Sequence, residues 1–309
     1  MKKALLFWGE KYLFSPGSVE RLLSLLLYPL SLLYCFVVWV KYKRVVAVDY
    51  GLPIISVGNL IVGGSGKTPL TVALARRYSR PAIVLRGYGR SSKGMYLVSN
   101  GSRTLCDVSV AGDEAMLYAA LVPQAIVIVC EQRSQGIEKA KSLGAELLFL
   151  DDGYSKHEIK KLDLLIVSRQ KNSFCLPAGP FRERLWQGKE AVQIEEGRDF
   201  TRRVEISNPK ETMVLVTGIS KPQRLDSYLD VRVIEKFYFP DHHPFKEEEL
   251  KEILSKTRAQ SLLVTRKDAV KMEAFSLALS YLELALEVDE KIHQSVQEYV
   301  RISSQNPRN

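Results

Sequence analysis

The stretch that decides the fold runs from Ser56 to Leu70 and reads SVGNLIVGGSGKTPL. Near its end it contains Gly66-Lys67-Thr68, which match the last three positions of the phosphate-binding loop pattern G-x-x-x-x-G-K-[ST]. The first glycine of that pattern is absent, because Ile61 stands five residues before Gly66. Two interpretations are open: a nucleotide-binding loop with an altered entry, or a glycine-rich turn that happens to end in Lys-Thr.

The sequence around this loop favours nucleotide binding. An apolar run at Ile54–Val57 precedes it and a helical pattern begins at Pro69, which is the strand–loop–helix order of such sites. Backbone N–H groups of the loop would then point at phosphate oxygens, at the positive end of the following helix. The lysine would bridge the terminal phosphates and the threonine hydroxyl would bind Mg²⁺. The predicted nucleotide-binding residues are Ile61, Val62, Gly63, Gly64, Ser65, Gly66, Lys67 and Thr68.

Beyond the loop, short apolar runs alternate with helical patterns, which predicts a parallel sheet covered on both faces. We therefore predict an α/β fold: a phosphate-loop NTPase-like αβα sandwich with a second, smaller α/β domain. A second series of strands and helices begins near Thr212. The predicted domains are residues 45–205, which contain the loop, and residues 206–309, which close the cleft.

Residues 1–44 have a composition that predicts a membrane-associated helix. The run Leu22–Val40 carries no charge, and the basic sequence KYKR follows it at once. A spanning helix needs about 20 apolar residues, so this run is at the threshold. A narrow polar stripe suits a helix lying in the membrane interface; it consists of Glu20, Ser24, Tyr28 and Ser31. A spanning helix and a core helix packed against a domain are the alternatives.

The overall charge and the cysteines restrict the class of protein. The formal charge of +9, from 44 Lys and Arg against 35 Asp and Glu, favours anionic partners such as nucleotides, nucleic acids, phospholipid surfaces or phosphorylated substrates. The four cysteines are scattered and form no C-x-x-C pair. We therefore expect neither a disulfide framework nor a zinc site, and we expect a reducing compartment.

Acidic residues follow another predicted strand. The apolar run ELLFL ends in Asp151-Asp152-Gly153, and carboxylates at the carboxyl end of a buried parallel strand face the ligand crevice. They can hold Mg²⁺ directly or through water. A plain D-D-G turn is the alternative, and the nearby lysine loop favours the metal site.

A kinase also needs a base near the acceptor hydroxyl and cations for the phosphoryl group. The segment AGDEA offers Asp113 and Glu114 at a predicted helix start, where helix capping is the simpler role for Asp113. The segment FPDHHPF offers His242, which could assist a carboxylate. Candidate cations are Arg86, Arg90, Arg133, Arg182 and Arg184. The alternative is a membrane-peripheral nucleotide switch, although VTRKD at 264–268 matches the guanine-binding N-K-x-D element only distantly.

Eight motifs taken in order resemble the tetraacyldisaccharide 4′-kinases of lipid A biosynthesis. They are VGNLIVGGSGKTP, RGYGR, AGDEA, LDDGY, LPAGPFRE, TGISKPQR, FPDHHPF and VTRKDAVK. The resemblance covers residues 18–270, and the altered loop entry is itself typical of that family. It implies an enzyme that moves the γ-phosphoryl group of ATP to the 4′-hydroxyl of tetraacyldisaccharide 1-phosphate and forms lipid IVA. It also implies work at the cytoplasmic face of the bacterial inner membrane, without a nucleic acid or a required protein partner.

The resemblance also implies roles for particular residues. Lys67 and Arg182 match groups at the phosphates, Asp113 matches the carboxylate that takes the hydroxyl proton, and His242 matches its partner. The implied Mg²⁺ ligands are Thr68, Asp151, Asp152, Glu114 and Glu183. The chain departs from the family where D-D-G-[aromatic or Leu]-Q-H is usual, because it reads DDGYSKH. The Gln-His roles are therefore not transferred to Ser155 or His157.

Overall fold

The computed structural model of the chain describes residues 2–63 and 66–305. These residues divide into two compact units. The first unit comprises the described parts of Met1–Lys67, Leu150–Phe200 and Lys291–Asn309, and the second comprises Thr68–Phe149 and Thr201–Glu290. The domain limits given by the sequence, 45–205 and 206–309, remain a prediction.

The larger sheet is built mostly from parallel strands that are buried on both faces. Its strands are β1 (Ile54–Asn59), β2 (Pro81–Leu85), β3 (Tyr96–Asn100), β4 (Ile126–Val129), β5 (Leu147–Asp151), β6 (Leu162–Val167) and β7 (Val192–Glu195). Their order is β3-β4-β2-β5-β1-β6-β7, with β3 antiparallel to β4. In β1, β2, β4 and β5 every residue is buried, which explains why their sequences are mostly apolar and do not alternate with polar residues.

The smaller sheet has two apolar faces. Its strands are β8 (Phe200–Ser207), β9 (Met213–Thr217), β10 (Val233–Tyr238), β11 (Ser261–Thr265) and β12 (Leu279–Val288), in the order β10-β9-β11-β12-β8. Successive residues of a strand point to opposite faces. Val214 and Val264 accordingly join one core cluster, whereas Leu215 and Leu263 join the other.

Helices connect these strands. The described helices are α1 (Lys2–Phe14), α2 (Ser18–Arg44), α3 (Lys67–Ala75), α4 (Val108–Ala111), α5 (Asp113–Leu121), α6 (Arg133–Ser142), α7 (Glu247–Thr257), α8 (Arg266–Ala269) and α9 (Glu290–Gln305), with a 3₁₀ helix at Pro222–Tyr228. Strands and helices alternate from β1 to β5 and from β9 to α9, apart from the consecutive pairs β2–β3 and α4–α5, as the predicted α/β fold class requires.

Helix α2 turns its polar stripe toward the protein. Glu20, Ser24 and Ser31 are buried, and the Ser31 hydroxyl donates to the Cys175 carbonyl at 2.8 Å. The leucines point outward instead: Leu22 is 69% exposed and Leu26 is 75% exposed. The stripe therefore marks the contact with the protein, and not a side that faces lipid headgroups. Among the described residues α2 is the one helix that is long and apolar enough to cross a membrane, and the mean hydropathy of its 18-residue apolar stretch is 2.1.

A disulfide ties α2 to the loop of residues 168–191. It joins Cys35 to Cys175, whose Cα atoms are 6.2 Å apart, whereas Cys106 and Cys130 are free thiols. This bond corrects the expectation that the scattered cysteines form no disulfide framework. Its members are 140 residues apart, so no local pattern indicates that they pair. The Tyr34 hydroxyl strengthens the connection by donating to the Arg182 carbonyl at 3.1 Å.

We expect Cys35→Ser to lower the free energy of unfolding of the oxidised protein by about 2–4 kcal/mol, because a link over this length of chain restricts the unfolded state. Denaturant unfolding in detergent, with and without dithiothreitol, measures the change. Reduced wild type should match Cys35→Ser, and the matched control Cys106→Ser should behave as wild type. Wild-type stability that is indifferent to reductant would contradict the bond.

Candidate active site

The glycine-rich loop connects buried β1 to the first turn of α3, as predicted. Gly63 and Gly66 have φ values of 94° and 87°, in the left-handed region that glycine adopts without strain. Gly64 and Ser65, two predicted nucleotide-binding residues, lie outside the described residues. Lys67 is the first residue of α3 and Thr68 is the second.

The altered entry of this loop is held by strand-like pairing. Ile61 forms an antiparallel bridge with Phe181, and the N–H of Val62 donates to the Pro180 carbonyl at 2.9 Å. A β-branched residue suits such an extended bridge better than glycine does. The pairing with the loop of residues 168–191 therefore explains why Ile61 can replace the usual glycine.

Four side chains meet beside the loop and form what we call the phosphate-loop cluster: Asn59, Lys67, Asp152 and Arg182. The Lys67 ammonium lies 3.2 Å from Asn59 Oδ1 and 3.5 Å from Asp152 Oδ1. Arg182 donates to Asn59 Oδ1 at 3.0 Å and to Asp152 Oδ2 at 2.8 Å, and its Nη2 also bonds Asp152 Oδ1. The structure thus brings together three residues that the resemblance singled out, and adds Asn59.

The neighbouring cations favour the ionised form of Asp152. Burial alone would raise the pKa of Asp152, but the hydrogen bond from Arg182 and the charge of Lys67 outweigh it, so the pKa lies below its ordinary value. Asp152 has a φ of 54° and its N–H donates to the Val57 carbonyl at 3.0 Å. The D-D-G segment is therefore more than a solvent-facing turn, because its second carboxylate faces two cations.

The predicted metal ligands lie on several elements. Asp151 ends β5, Thr68 and Glu114 are the second residues of α3 and α5, and Glu183 is only 7% exposed. Within residues 2–63 and 66–305 no three His, Cys, Asp or Glu side chains form a ready metal cage. Mg²⁺ does not require one, since it is commonly held by one or two carboxylates together with substrate phosphates and water. Glu183 fits that role, because its Oε2 is buried and has no hydrogen bond to a described residue.

The second unit contains a carboxylate–histidine pair, which we call the base dyad. Asp113 Oδ2 lies 2.8 Å from Nδ1 of His242. Asp113 is the first residue of α5, and the N-cap is Gly112. The simpler expectation that Asp113 caps the helix is therefore wrong, because its Oδ2 is directed to His242. His242 is itself fixed by its backbone N–H, which donates to the Gly218 carbonyl at 3.0 Å.

Electrostatics favour the charged forms of both members of the dyad. Burial opposes ionisation of Asp113, but the hydrogen bond from His242 and the charge of Lys267 outweigh it and place the pKa below its ordinary value. The hydrogen bond to Asp113 raises the pKa of His242, against the effects of burial and Lys267. Such a pair can accept a proton at Asp113 and stabilise the resulting state through His242.

The five candidate arginines differ in what they contact. Arg182 reaches the phosphate-loop cluster. Arg90, Arg133 and Arg184 instead bind backbone carbonyls of neighbouring loops, those of Gly94, Cys130 and Ser173 respectively. Arg86 is exposed.

Glu183 belongs to a buried ionic network that the sequence analysis did not predict. Its members are His157, Lys161, Asp163, Glu183 and Lys189. Lys189 lies 2.7 Å from His157 Nδ1 and 3.3 Å from Asp163, and Lys161 lies 3.5 Å from Asp163. An ammonium group only donates, so His157 accepts at Nδ1, and its Nε2 lies 3.5 Å from Glu183 Oε2. No local sequence pattern signals this network, because its members share no motif.

Comparison with known proteins gives a consistent result. The family model described as tetraacyldisaccharide-1-P 4′-kinase, LpxK, matches residues 23–195 and 191–301. The tetraacyldisaccharide 4′-kinase of Aliarcobacter butzleri (strain RM4018) is 43% identical over 302 residues, which cover 94% of this chain and 96% of that protein. The enzyme of the same name from Campylobacter jejuni (serotype O:23/36, strain 81-176) is 40% identical over 298 residues, covering 95% and 96%.

A solved structure is also similar. It is the crystal structure of LpxK from Aquifex aeolicus, described as an "apo" form in complex with ATP. The TM-score is 0.72 at 26% identity, and the match covers 90% of this chain and 99% of that chain. The predicted fold class is thereby confirmed.

The buried network predicts a pH-dependent stability. Burial lowers the pKa of Lys161 to about 8, from 10.5 in the unfolded chain. Between these values the unfolded chain binds more protons than the folded one, so this group makes stability rise with pH. Lys161→Met removes the effect. Its free energy of unfolding, relative to wild type, should therefore fall by about 1–2 kcal/mol between pH 7.5 and pH 9.5.

Chemical unfolding across this pH range tests the prediction. The exposed neighbour Lys160 provides the matched control, because Lys160→Met should differ from wild type by the same amount at each pH. If the difference between Lys161→Met and wild type were also constant, Lys161 would be charged in the folded protein throughout the range, and the depressed pKa would be wrong.

Proposed function

Since the chain belongs to the tetraacyldisaccharide 4′-kinase family, we propose that it transfers the γ-phosphate of ATP to the 4′-hydroxyl of tetraacyldisaccharide 1-phosphate. The product is lipid IVA, a bis-phosphorylated intermediate of lipid A biosynthesis. The base dyad is the observation that carries this proposal over a nucleotide switch. A switch needs a phosphate-binding loop, whereas a kinase also needs a group that takes the proton of its acceptor.

The phosphate-loop cluster supplies the positive charge that the reaction needs. Phosphoryl transfer passes through a loose transition state, so positioning and charge neutralisation are larger contributions than proton removal. We assign both to the loop amides together with Lys67 and Arg182, whose charges lie within 3.5 Å of the same carboxylate. The residues that would hold Mg²⁺ are Thr68, Asp151, Asp152, Glu183 and Glu114. The ion would neutralise charge on the phosphate oxygens.

The base dyad handles the acceptor proton. A sugar hydroxyl is a poor nucleophile at neutral pH, and Asp113 would accept its proton as the bond to phosphorus forms. His242 would hold the carboxylate in place through its Nδ1 contact of 2.8 Å. Asp113 Oδ1 has no hydrogen bond to any described residue, so the carboxylate keeps one oxygen uncommitted.

The exposed face of α2 provides a reason for the enzyme to work at a membrane. The acyl chains of the proposed acceptor remain in the bilayer, and α2 presents leucines that are more than half exposed. The basic sequence KYKR at its end and the charge of +9 suit an anionic leaflet. We therefore propose a peripheral or monotopic location on the cytoplasmic face of the inner membrane.

Incubation with labelled ATP and tetraacyldisaccharide 1-phosphate, followed by mass analysis of the product, tests the reaction. We expect Lys67→Met and Asp113→Asn each to lower the rate by about 10²–10⁴-fold, because they remove phosphate neutralisation and the proton acceptor respectively. The exposed Lys210→Met should retain full activity. Full turnover in either site variant would remove its proposed role. Tighter competition by GTP than by ATP, without a phosphorylated product, would favour the switch.

Co-sedimentation with vesicles of anionic phospholipid tests the membrane proposal. We expect the double variant Leu26→Glu, Leu33→Glu to reduce bound protein by more than about tenfold, because buried charges are costly in lipid. Both leucines are more than half exposed, so the folded protein should tolerate the change. Val231, which is 97% exposed in the second unit, provides the matched control Val231→Glu. Equal partitioning of all three proteins would place the attachment elsewhere.

A further inference from the structure

Two motifs of the resemblance have no assigned chemistry, and the structure joins them. They are TGISKPQR, which begins at Thr217, and VTRKDAVK, which ends at Lys271. Their meeting point is Asp268, which is fully buried. Its carboxylate accepts from the Thr217 hydroxyl at 2.7 Å, the Thr265 hydroxyl at 2.7 Å and the Gly218 N–H at 3.2 Å. Asp268 is therefore occupied inside the protein, and is not turned outward as the aspartate of a guanine-binding N-K-x-D element would be.

This buried anchor fixes the short helix α8 and the residues after it. Lys267 lies in α8 and Lys271 lies two residues after its end. Lys271 is bound on the protein side by Asp268 Oδ1 at 3.5 Å and by the His243 carbonyl at 3.3 Å. Its side chain is only 8% exposed. A buried ammonium with this many partners has little freedom to move.

Both lysines face the base dyad on one side. Lys271 lies 3.6 Å from Asp113 Oδ2 and Lys267 lies 3.8 Å from the same atom. The Nδ1 of His242 also contacts Oδ2. Two ammonium groups and the imidazole of His242 therefore meet one oxygen of the carboxylate, whereas Oδ1 has no hydrogen bond within the described residues.

We propose that Lys271, anchored by Asp268, is a positioning residue that keeps Oδ2 of Asp113 turned toward His242 and leaves Oδ1 to receive the acceptor proton. Lys267 supports the same orientation from the more exposed side. This inference rests on the proposed role of Asp113 as the base. A carboxylate held by a single hydrogen bond can rotate and exchange its oxygens. Two fixed positive charges on one side remove that freedom, so the two motifs act on the reaction through Asp113.

The asymmetry of these contacts argues against a purely structural ion pair. A structural carboxylate usually engages both of its oxygens, as Asp268 does, because each buried acceptor gains from a partner. Asp113 is 5% exposed, yet its cations all lie at Oδ2. Gly218 couples the two motifs to the dyad as well, since its N–H binds Asp268 and its carbonyl accepts from His242.

A double-mutant cycle tests the inference on the full-length protein. We expect Lys271→Met, which keeps the length but removes the charge, to lower kcat by about 10–100-fold with the KM of both substrates unchanged. Lys271→Arg should restore part of the rate. In the Asp113→Asn background Lys271→Met should have no further effect, because its only route to the reaction is lost. The exposed Lys251→Met provides the control and should behave as wild type.

The possible results separate this inference from the proposed function. Additive losses in the double variant, or a raised KM, would overturn the positioning role and indicate that Lys271 contacts a substrate. Full activity of Asp113→Asn would overturn the assigned base itself. If Lys271→Met does not fold, as thermal unfolding would reveal, the same cycle with the more exposed Lys267→Met decides the question, with a smaller expected loss in kcat.

Discussion

The contact of Asp152 with Lys67 and Arg182 is the interaction on which the phosphate-loop cluster depends. It joins three segments that are far apart in sequence: the loop after β1, the turn after β5 and the loop of residues 168–191. Strands β1 and β5 bring the first two together, because they are neighbours in the sheet and the N–H of Asp152, directly after β5, donates to the Val57 carbonyl of β1 at 3.0 Å. The third arrives through Ile61, which pairs with Phe181 directly before Arg182. Without this carboxylate two cations would face each other at close range.

The loop of residues 168–191 also connects the phosphate-loop cluster to helix α2. The carbonyl of Arg182 accepts from Tyr34, and Cys175 is bonded to Cys35. A helix with an apolar outer face must still satisfy the polar groups on its inner face, and Ser31 does so by donating to the Cys175 carbonyl. The residues that hold α2 on the protein are therefore the ones that fix the loop carrying Arg182. Helix α2 therefore helps to set the position of the loop that carries Arg182.

Most of the buried sheet was predictable from sequence, because strands covered on both faces are continuous apolar runs. Two strands of this sheet cannot be recognised in this way, because they are only partly buried and mix polar with apolar residues. They are β3 (Tyr96–Asn100) and β7 (Val192–Glu195). The polar stripe of α2 was visible, but sequence could not decide whether protein or headgroups cover it. Motifs identified Lys67 and Asp113. Asn59 and Lys271 also stand inside quoted motifs, but the motifs assigned them no role, because their contacts are made across the fold.

Asp152 and Asp113 show how one residue type comes to suit two roles. Both are carboxylates whose pKa lies below the ordinary value because cations outweigh the effect of burial. Arg182 engages both oxygens of Asp152, and a carboxylate in such a fork is a fixed charge with little capacity to take up a proton. The cations around Asp113 all lie at Oδ2, which leaves the other oxygen without a hydrogen bond in the described structure. The two aspartates therefore differ less in pKa than in how many of their carboxylate oxygens are already bound. This difference supports their proposed roles, in which Asp152 balances charge at the phosphates and Asp113 accepts a proton.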